Sequence, residues 1–95
     1  MNTPVCEINN LGTKRWVLNG KYHRFDGPAI EYDTGDVKWY LHGQLHRTYG
    51  PAIEYSCGTK VWFLSGNYYK SIPAYCKALN MSEEEQVLFI LKWSK

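Results

Sequence analysis

Hydrophobic and turn-forming positions recur every 23 residues between positions 12 and 70. Three residue types keep their places in every copy: Gly12, Gly35 and Gly58; Trp16, Trp39 and Trp62; and Leu18, Leu41 and Leu64. Residues 27–32 also return unchanged as residues 50–55. A period of this length is typical of repeat architectures, in which each unit buries its apolar face against the next unit.

Each copy contains two short β-prone runs separated by turn-forming residues. In the middle copy these runs are residues 28–32 and 37–41, and Asp33 to Asp36 lie between them. Two such runs joined by a short turn predict a β-hairpin. The N-terminal residues 4–8 resemble the first run, with Cys6 in the place of Ile30, and Cys6 is therefore predicted to lie in the core. We predict three hairpins, which pair residues 4–8 with 14–19, 28–32 with 37–42, and 51–55 with 60–65.

Alternation along the second run divides each copy into two faces. One face keeps its Trp and Leu in every copy, and we predict that these residues form the core with the Ile and Tyr of the first run. The other face changes from copy to copy, as in Lys38 and Tyr40 against Val61 and Phe63, so we expect it to carry the function. The predicted partner-binding residues are Arg15, Lys38, Tyr40, His42 and Phe63.

The period ends after Lys70, and the remaining residues favour helices. Pro73 suits a first helical turn, so a short helix is predicted from there to Leu79. Ser82 and Glu85 have the spacing of a capping box, which predicts a second helix over residues 83–93. This second helix is apolar nearly all round. We expect it to be buried on more than one side, either against the open end of the β array or against another chain.

These patterns together predict a mainly β protein of the α+β class. It consists of three stacked 23-residue β-hairpin repeats followed by a C-terminal cap of two helices. Residues 1–70 form the repeat array and residues 71–95 form the cap, and both belong to the same domain.

Charge and cysteine usage narrow the class of protein further. The net charge of +2 and the pI near 8.4 are too small a basic excess to indicate nucleic-acid binding alone. The three cysteines are far apart and form no CxxC pair, so neither a disulfide framework nor a structural zinc site is expected. No signal-like N-terminus and no run of ~18 apolar residues is present, so we expect a soluble cytoplasmic protein without membrane contact.

Two His-Arg pairs are the most prominent candidates for chemistry. His23-Arg24 and His46-Arg47 could bind phosphate or act in acid–base catalysis. Because they recur in the same link of each copy, we interpret them as structural clips. In that role each His bonds loop carbonyls, and each Arg pairs with Glu31 or Glu54 or stacks on a Trp.

Other catalytic signatures are absent from the sequence. Cys57 lies beside a turn glycine with no His close in sequence, and Cys76 lies on a predicted helix and is expected to be buried. The chain contains no phosphate-binding loop, no dinucleotide fingerprint and no cluster of metal ligands at a recognised spacing. We therefore expect a protein that is not an enzyme and that uses no cofactor and no metal.

Residues 19–66, NGKYHRFDGPAIEYDTGDVKWYLHGQLHRTYGPAIEYSCGTKVWFLSG, resemble the MORN-like hairpin repeats common in small proteins of large tailed phages. Repeats of similar appearance also occur in bacterial antitoxin-like proteins. The resemblance covers residues 4–70 and implies a scaffold for binding other molecules. The chain lacks the YxGxxxxGxxxG pattern of common MORN units, so the resemblance does not imply lipid binding.

The pattern and the resemblance together predict a non-catalytic protein-binding module. The resemblance implies a phage accessory protein that binds a host protein of defence or metabolism, in the bacterial cytosol, and inhibits or modulates it by occlusion. One alternative is a nucleic-acid-binding protein that uses the same aromatic and basic face. Others are a homo-oligomeric structural module joined through helix 83–93, and an enzyme that uses His23 or His46.

Overall fold

The structure, a computed structural model, describes residues 3–94. Its strands are β1 (Val5–Ile8), β2 (Lys14–Leu18), β3 (Lys21–Tyr22), β4 (Ile30–Glu31), β5 (Val37–Lys38), β6 (Tyr40–Leu41), β7 (Gln44–Leu45), β8 (Ile53–Glu54), β9 (Lys60–Leu64) and β10 (Asn67–Tyr69). Its helices are α1 (Ile72–Ala78) and α2 (Glu83–Trp93). Eight strands form one antiparallel sheet in the order β1-β2-β4-β5-β8-β9-β10, with β3 beside β2, and β6 pairs with β7 alone. The chain is therefore mainly β and belongs to the α+β class, as the sequence predicts.

The order of the strands in the large sheet follows the order of the chain. Ile30 of β4 lies opposite Arg15 on one side and Lys38 on the other, and Ile53 of β8 lies between Lys38 and Val61. Directly paired residues of an antiparallel sheet point to the same face. These five residues therefore form one row across the sheet and share one face.

The sheet has two chemically different faces. Trp16, Trp39 and Trp62 each follow a residue of that row, so they point the other way, and we call their side the tryptophan face. We call the opposite side the tyrosine face. It carries Arg15, Tyr22, Tyr32, Lys38, Tyr40, Phe63 and Tyr68.

Ile30, Ile53 and Trp62 are buried as predicted, but the isoleucines and the tryptophan lie on opposite faces of the sheet. Ile30 and Ile53 are only 3% and 6% exposed, but their row places them on the tyrosine face. Long side chains stand on both sides of them, since Ile30 is paired with Arg15 and with Lys38. The sheet therefore buries apolar side chains on both of its faces.

The first hairpin has a different register from the one predicted. Glu7 pairs with Arg15, so Glu7 and not Cys6 takes the place of Ile30, which pairs with Lys38. Cys6 lies opposite Trp16 and is exposed, so the prediction of a core Cys6 is wrong. A shift of one residue moves every side chain of a strand to the other face. Glu7 and Ile30 are 23 residues apart, so this copy keeps the period, and the match of residues 4–8 with residues 28–32 is one residue out of step with it.

Each copy also contains a second, tighter hairpin that is not among the three predicted ones. Two-residue turns join β2 to β3, β6 to β7 and β9 to β10. Both residues of each turn have positive φ: Asn19 and Gly20, His42 and Gly43, Ser65 and Gly66. Turns of this kind match the twist of the strands they join, and their second position favours glycine. Gly43 therefore lies inside a turn and does not merely end a strand.

The two helices pack on the end of the sheet that β9 and β10 form. The main core cluster unites Trp62 of β9 with Tyr75 and Cys76 of α1, Met81, and Phe89 of α2. Cys76 is fully buried, as predicted. Ser71 caps the N-terminus of α1 with its side chain, which accepts a hydrogen bond from the backbone N–H of Ala74.

Helix α2 begins where the sequence predicts but buries less of its surface than expected. Ser82 and Glu85 form the predicted capping box, with bonds of 2.8 and 3.2 Å. Phe89 is buried, whereas Val87, Leu88 and Leu91 are 57%, 68% and 64% exposed. Within the described chain the helix is therefore buried along one side only.

Candidate protein-binding surface

On the tryptophan face, the two predicted arginine clips form as expected. The guanidinium of Arg24 lies 3.8 Å from the ring centre of Trp16, and that of Arg47 lies 4.0 Å from Trp39. Each guanidinium also forms an ion pair of 3.1 Å, Arg24 with Glu31 and Arg47 with Glu54. Each arginine therefore covers a half-buried indole and neutralises a strand carboxylate at the same time.

The glycines of the repeated Gly-Pro pairs make room for these arginines. A Cβ placed on Gly50 would lie 2.6 Å from the central guanidinium carbon of Arg47, and one on Gly27 would lie 2.8 Å from that of Arg24. No side chain fits at such a distance unless the guanidinium moves. The next residue completes the clip, because the carbonyl of Pro51 accepts a hydrogen bond of 3.1 Å from Arg47. The spacing Arg-x-x-Gly-Pro therefore follows from packing.

Each histidine is hydrogen-bonded to the next copy, but its partner is a backbone N–H and not the predicted loop carbonyl. Nδ1 of His23 accepts a hydrogen bond of 3.0 Å from the backbone N–H of His42, and Nδ1 of His46 accepts one of 2.8 Å from Ser65. The predicted bonds to loop carbonyls would need Nδ1 or Nε2 as a donor. Burial lowers the pKa of both histidines, and His42 near His23 adds to this effect there. Because Nδ1 of each ring accepts a hydrogen bond, it carries no hydrogen, and the bond and the lowered pKa both favour the neutral ring with its hydrogen on Nε2.

On the tyrosine face, the structure brings together several of the predicted binding residues. Arg15 and Lys38 flank Ile30, and the ammonium of Lys38 lies 5.5 Å from the ring centre of Tyr32. The ring of Tyr40 lies 5.3 Å from that of Tyr22, and burial raises the pKa of Tyr40. Arg15, Lys38 and Tyr40 are all half-buried. These residues form a mixed aromatic and cationic surface of half-buried side chains.

Phe63 continues this surface into the third copy. Phe63 pairs with Tyr68 on neighbouring strands, and their ring centres are 5.7 Å apart. The adjacent Trp62 points to the other face, where the helices cover it. The helices therefore leave Phe63 and Tyr68 uncovered, and Tyr68 is 62% exposed.

His42 lies in a different environment from the other four predicted residues. It occupies the first position of a tight turn with φ of 51°, and its ring centre is 4.5 Å from that of His23. It lines a groove together with Leu18, Asn19, Lys21, His23 and Phe25. The strand alternation that groups His42 with Tyr40 ends at the turn, which is why the sequence could not place it.

Three tyrosines of the tyrosine face are not among the predicted binding residues. Tyr22 and Tyr68 lie on the short strands that follow the tight turns, which were not predicted. The dipeptide Asn19-Gly20 is a recognised hairpin signal and could have revealed the first of these strands. Tyr32 was assigned to the core, but it is half-buried beside Lys38.

The remaining reactive side chains are separate from this surface. Cys57 is exposed, and hydrogen bonding with the Thr59 side chain lowers its pKa. Burial raises the pKa of the Cys76 thiol. Among residues 3–94, no group of three or more His, Cys, Asp or Glu side chains is arranged to hold a metal ion.

Comparison with known proteins does not place the chain in a family. No family model, no curated protein and no solved structure matches it. In the part of the chain that the structure describes, no helix combines the length and the apolar character needed to cross a membrane.

Proposed function

We propose that this chain is a non-catalytic protein-binding module and that the tyrosine face makes the contact. The observation that carries the proposal is a group of aromatic rings on one face, in which half-buried Tyr22 packs on half-buried Tyr40, and half-buried Phe63 packs on exposed Tyr68. Tyrosine and arginine are over-represented among residues that dominate binding energy, because they bury large areas at a small entropic cost.

The rigidity of this face supports the same proposal. Ile30 and Ile53 are buried between the half-buried side chains of their row, so the surrounding rings and cations have few alternative positions. Preorganised side chains lose less entropy when a partner binds. Arg15 and Lys38 add positive charge beside the rings and would favour a partner with an acidic patch.

We propose the architecture and biological setting from the repeat pattern and the MORN-like resemblance. The chain is an array of three 23-residue hairpin units with a two-helix cap. It acts as a phage accessory protein in the bacterial cytoplasm and inhibits or modulates a host protein by occluding that protein's surface. The rigid sheet face suits occlusion, since it presents a broad surface and no catalytic constellation is needed.

The test compares which proteins of a bacterial lysate are captured by the purified wild type and by purified variants. Tyr68→Ala and Lys38→Glu remove an exposed ring and a cation of the tyrosine face, whereas Phe25→Ala removes a 76% exposed ring that contacts His23 instead. We expect the first two variants to lose one stoichiometric protein that the wild type and Phe25→Ala retain. Thermal melting confirms that each variant is folded. Equal capture by all four proteins would contradict the proposal.

Nucleic acid is the second candidate for this face. Lys38 beside the ring of Tyr32 resembles the cation-and-ring arrangement that stacks single-stranded bases, and Arg15 adds a second cation to the same face. Fluorescence anisotropy with a labelled oligonucleotide distinguishes the two candidates. Affinity that falls steeply with rising salt and depends on Lys38 would favour nucleic acid over protein.

A further inference from the structure

An apolar strip runs along the side of α2 that faces away from the sheet. Val87, Leu88 and Leu91 are 57%, 68% and 64% exposed and lie within one turn of each other. On the opposite side of the same helix, Phe89 packs against Trp62 with ring centres 5.7 Å apart. The helix is thus fixed to its own chain along one side and carries a second, uncovered apolar side.

The exposed apolar surface extends beyond the helix. A groove of about 330 Å³ lies beside Leu88, and its walls include Tyr49, Met81 and Phe89. Tyr49 is itself 59% exposed. Surfaces of this kind on a small domain are typical of contact sites.

Charge at the two ends of α2 indicates what covers this strip. Glu83, Glu84 and Glu85 form the first turn, and Lys92 lies in the last turn. If two α2 helices meet antiparallel about a two-fold axis near Leu88, Glu84 of each copy faces Lys92 of the other. A parallel arrangement would instead bring like charges together. The helix is therefore complementary to itself in one orientation.

We propose that α2 joins two copies of this chain in an antiparallel, two-fold symmetric dimer. Leu88 lies at the axis, and Val87 and Leu91 pack on either side of it. Such an interface uses the same patch on both copies, as two-fold dimers do. This dimer is independent of the tyrosine face, because the helices pack on the opposite side of the sheet.

The expected dimer is weak. The strip consists of a few side chains on an 11-residue helix, which is a smaller surface than the ~800 Å² per partner of a standard interface. Apolar burial supplies the attraction, and the two ion pairs set the orientation. The dimer should therefore form at high protein concentration and dissociate on dilution.

The first experiment is sedimentation velocity of the full chain from low micromolar to near-millimolar concentration. We expect the wild type to shift from monomer to dimer. Leu88→Glu should weaken the dimer by at least about tenfold, because it places a charge at an apolar contact. Leu11→Glu is the matched control, since Leu11 is 73% exposed in the turn before β2. A wild type that stays monomeric, or an equal effect of both variants, would overturn the proposal.

A charge exchange tests the orientation. Glu84→Lys and Lys92→Glu should each weaken the dimer, and the double variant should restore it, because each new pair again joins opposite charges. Restoration needs Glu84 to face Lys92 of the second copy, since the two residues are two turns apart on one helix. A dimer that depends on Leu88 but is not restored by the double variant would overturn the antiparallel arrangement. Tyr68→Ala should leave association unchanged, which separates this proposal from that for the tyrosine face.

Discussion

The three equivalent tryptophans are covered in two different ways. Arg24 and Arg47 lie over Trp16 and Trp39, so a charged group that is paired with a carboxylate shields each indole. Trp62 is covered by the rings of Tyr75, Phe89 and Trp93, at centre distances of 4.9, 5.7 and 5.8 Å. Of these three tryptophans, Trp62 alone is buried, at 6% exposed, whereas Trp16 and Trp39 are half-buried. The same strand position can therefore be sealed by a polar clip within the sheet or by an apolar layer at its end.

Arg47 joins the two regions. Its guanidinium lies over Trp39 and is also 5.6 Å from the ring centre of Trp93 in α2. Its backbone carbonyl accepts a hydrogen bond from the hydroxyl of Tyr75, and the same hydroxyl accepts one of 3.2 Å from the N–H of Gly50. The helices are therefore attached to the loop that also holds the second clip.

The largest expected effect comes from removing the apolar layer. Tyr75 is fully buried, so Tyr75→Ala should lower the free energy of unfolding by about 3–5 kcal/mol, through a cavity against Trp62 and two lost hydrogen bonds. Tyr75→Phe keeps the ring and should cost about 1–3 kcal/mol, because Gly50 N–H loses its acceptor. Urea unfolding followed by tryptophan fluorescence measures both. Equal losses would mean that the hydroxyl, and not the ring, holds the helices.

The second effect tests the clip. Gly50→Ala should push the Arg47 guanidinium away from Trp39 and lower the free energy of unfolding by about 1.5–3 kcal/mol, the range for hydrogen bonds to charged groups. Arg47→Ala should cost a similar amount. The double variant should cost little more than either single variant, since both remove the same contact. Additive losses would show that Gly50 serves the backbone and not the arginine.

Much of this organisation could be predicted from the sequence because it depends on neighbouring residues. The capping box of α2 and the arginine pairing with Glu31 and Glu54 are local patterns, and the structure confirms them. The prediction for β1 is wrong because it matches residues 4–8 with residues 28–32, whereas the 23-residue period relates Glu7 to Ile30 and so places Glu7 opposite Arg15. The sealing of Trp62 depends on contacts between distant parts of the chain, and alternation within a strand does not reveal such contacts. The burial of Ile30 is confirmed, but its face depends on its pairing with Lys38 of another strand, which alternation within one strand does not reveal.

The histidine clips should make the first two copies sensitive to acid. The pKa of His23 and of His46 is lowered from its ordinary 6.5, so folding favours the neutral ring. The contribution of these two histidines to the free energy of unfolding should be complete above pH 6.5, where their rings are neutral in the unfolded chain as well. It should be lost as the pH falls through the pKa of the rings in the folded chain. His42 beside His23 opposes protonation there as well.

This expectation is checked by measuring the free energy of unfolding from neutral pH to a pH below the pKa of the two histidines in the folded chain. The double variant His23→Ala/His46→Ala should be less stable at neutral pH and should lose the part of the acid dependence that these rings cause. Tyr69 holds the equivalent place in the third copy, so that copy should add no histidine dependence of this kind. An unchanged pH profile in the double variant would assign the acid sensitivity to other groups.

The smallest expected effect tests whether the third copy could use the clip at all. Lys70 holds the place of Arg24 and Arg47, but the position three residues on is Pro73, where the first two copies have the glycine that makes room for the guanidinium. The rings of Tyr75, Phe89 and Trp93 already occupy the surface of Trp62. Lys70→Arg should therefore change the free energy of unfolding by less than about 0.5 kcal/mol, as for a neutral surface substitution. Arg47→Lys is the contrast and should destabilise, because an ammonium cannot lie flat on Trp39 while it bonds both Glu54 and the carbonyl of Pro51. A clear gain from Lys70→Arg would mean that Trp62 still has room for a cation and that the two ways of covering a tryptophan are not exclusive.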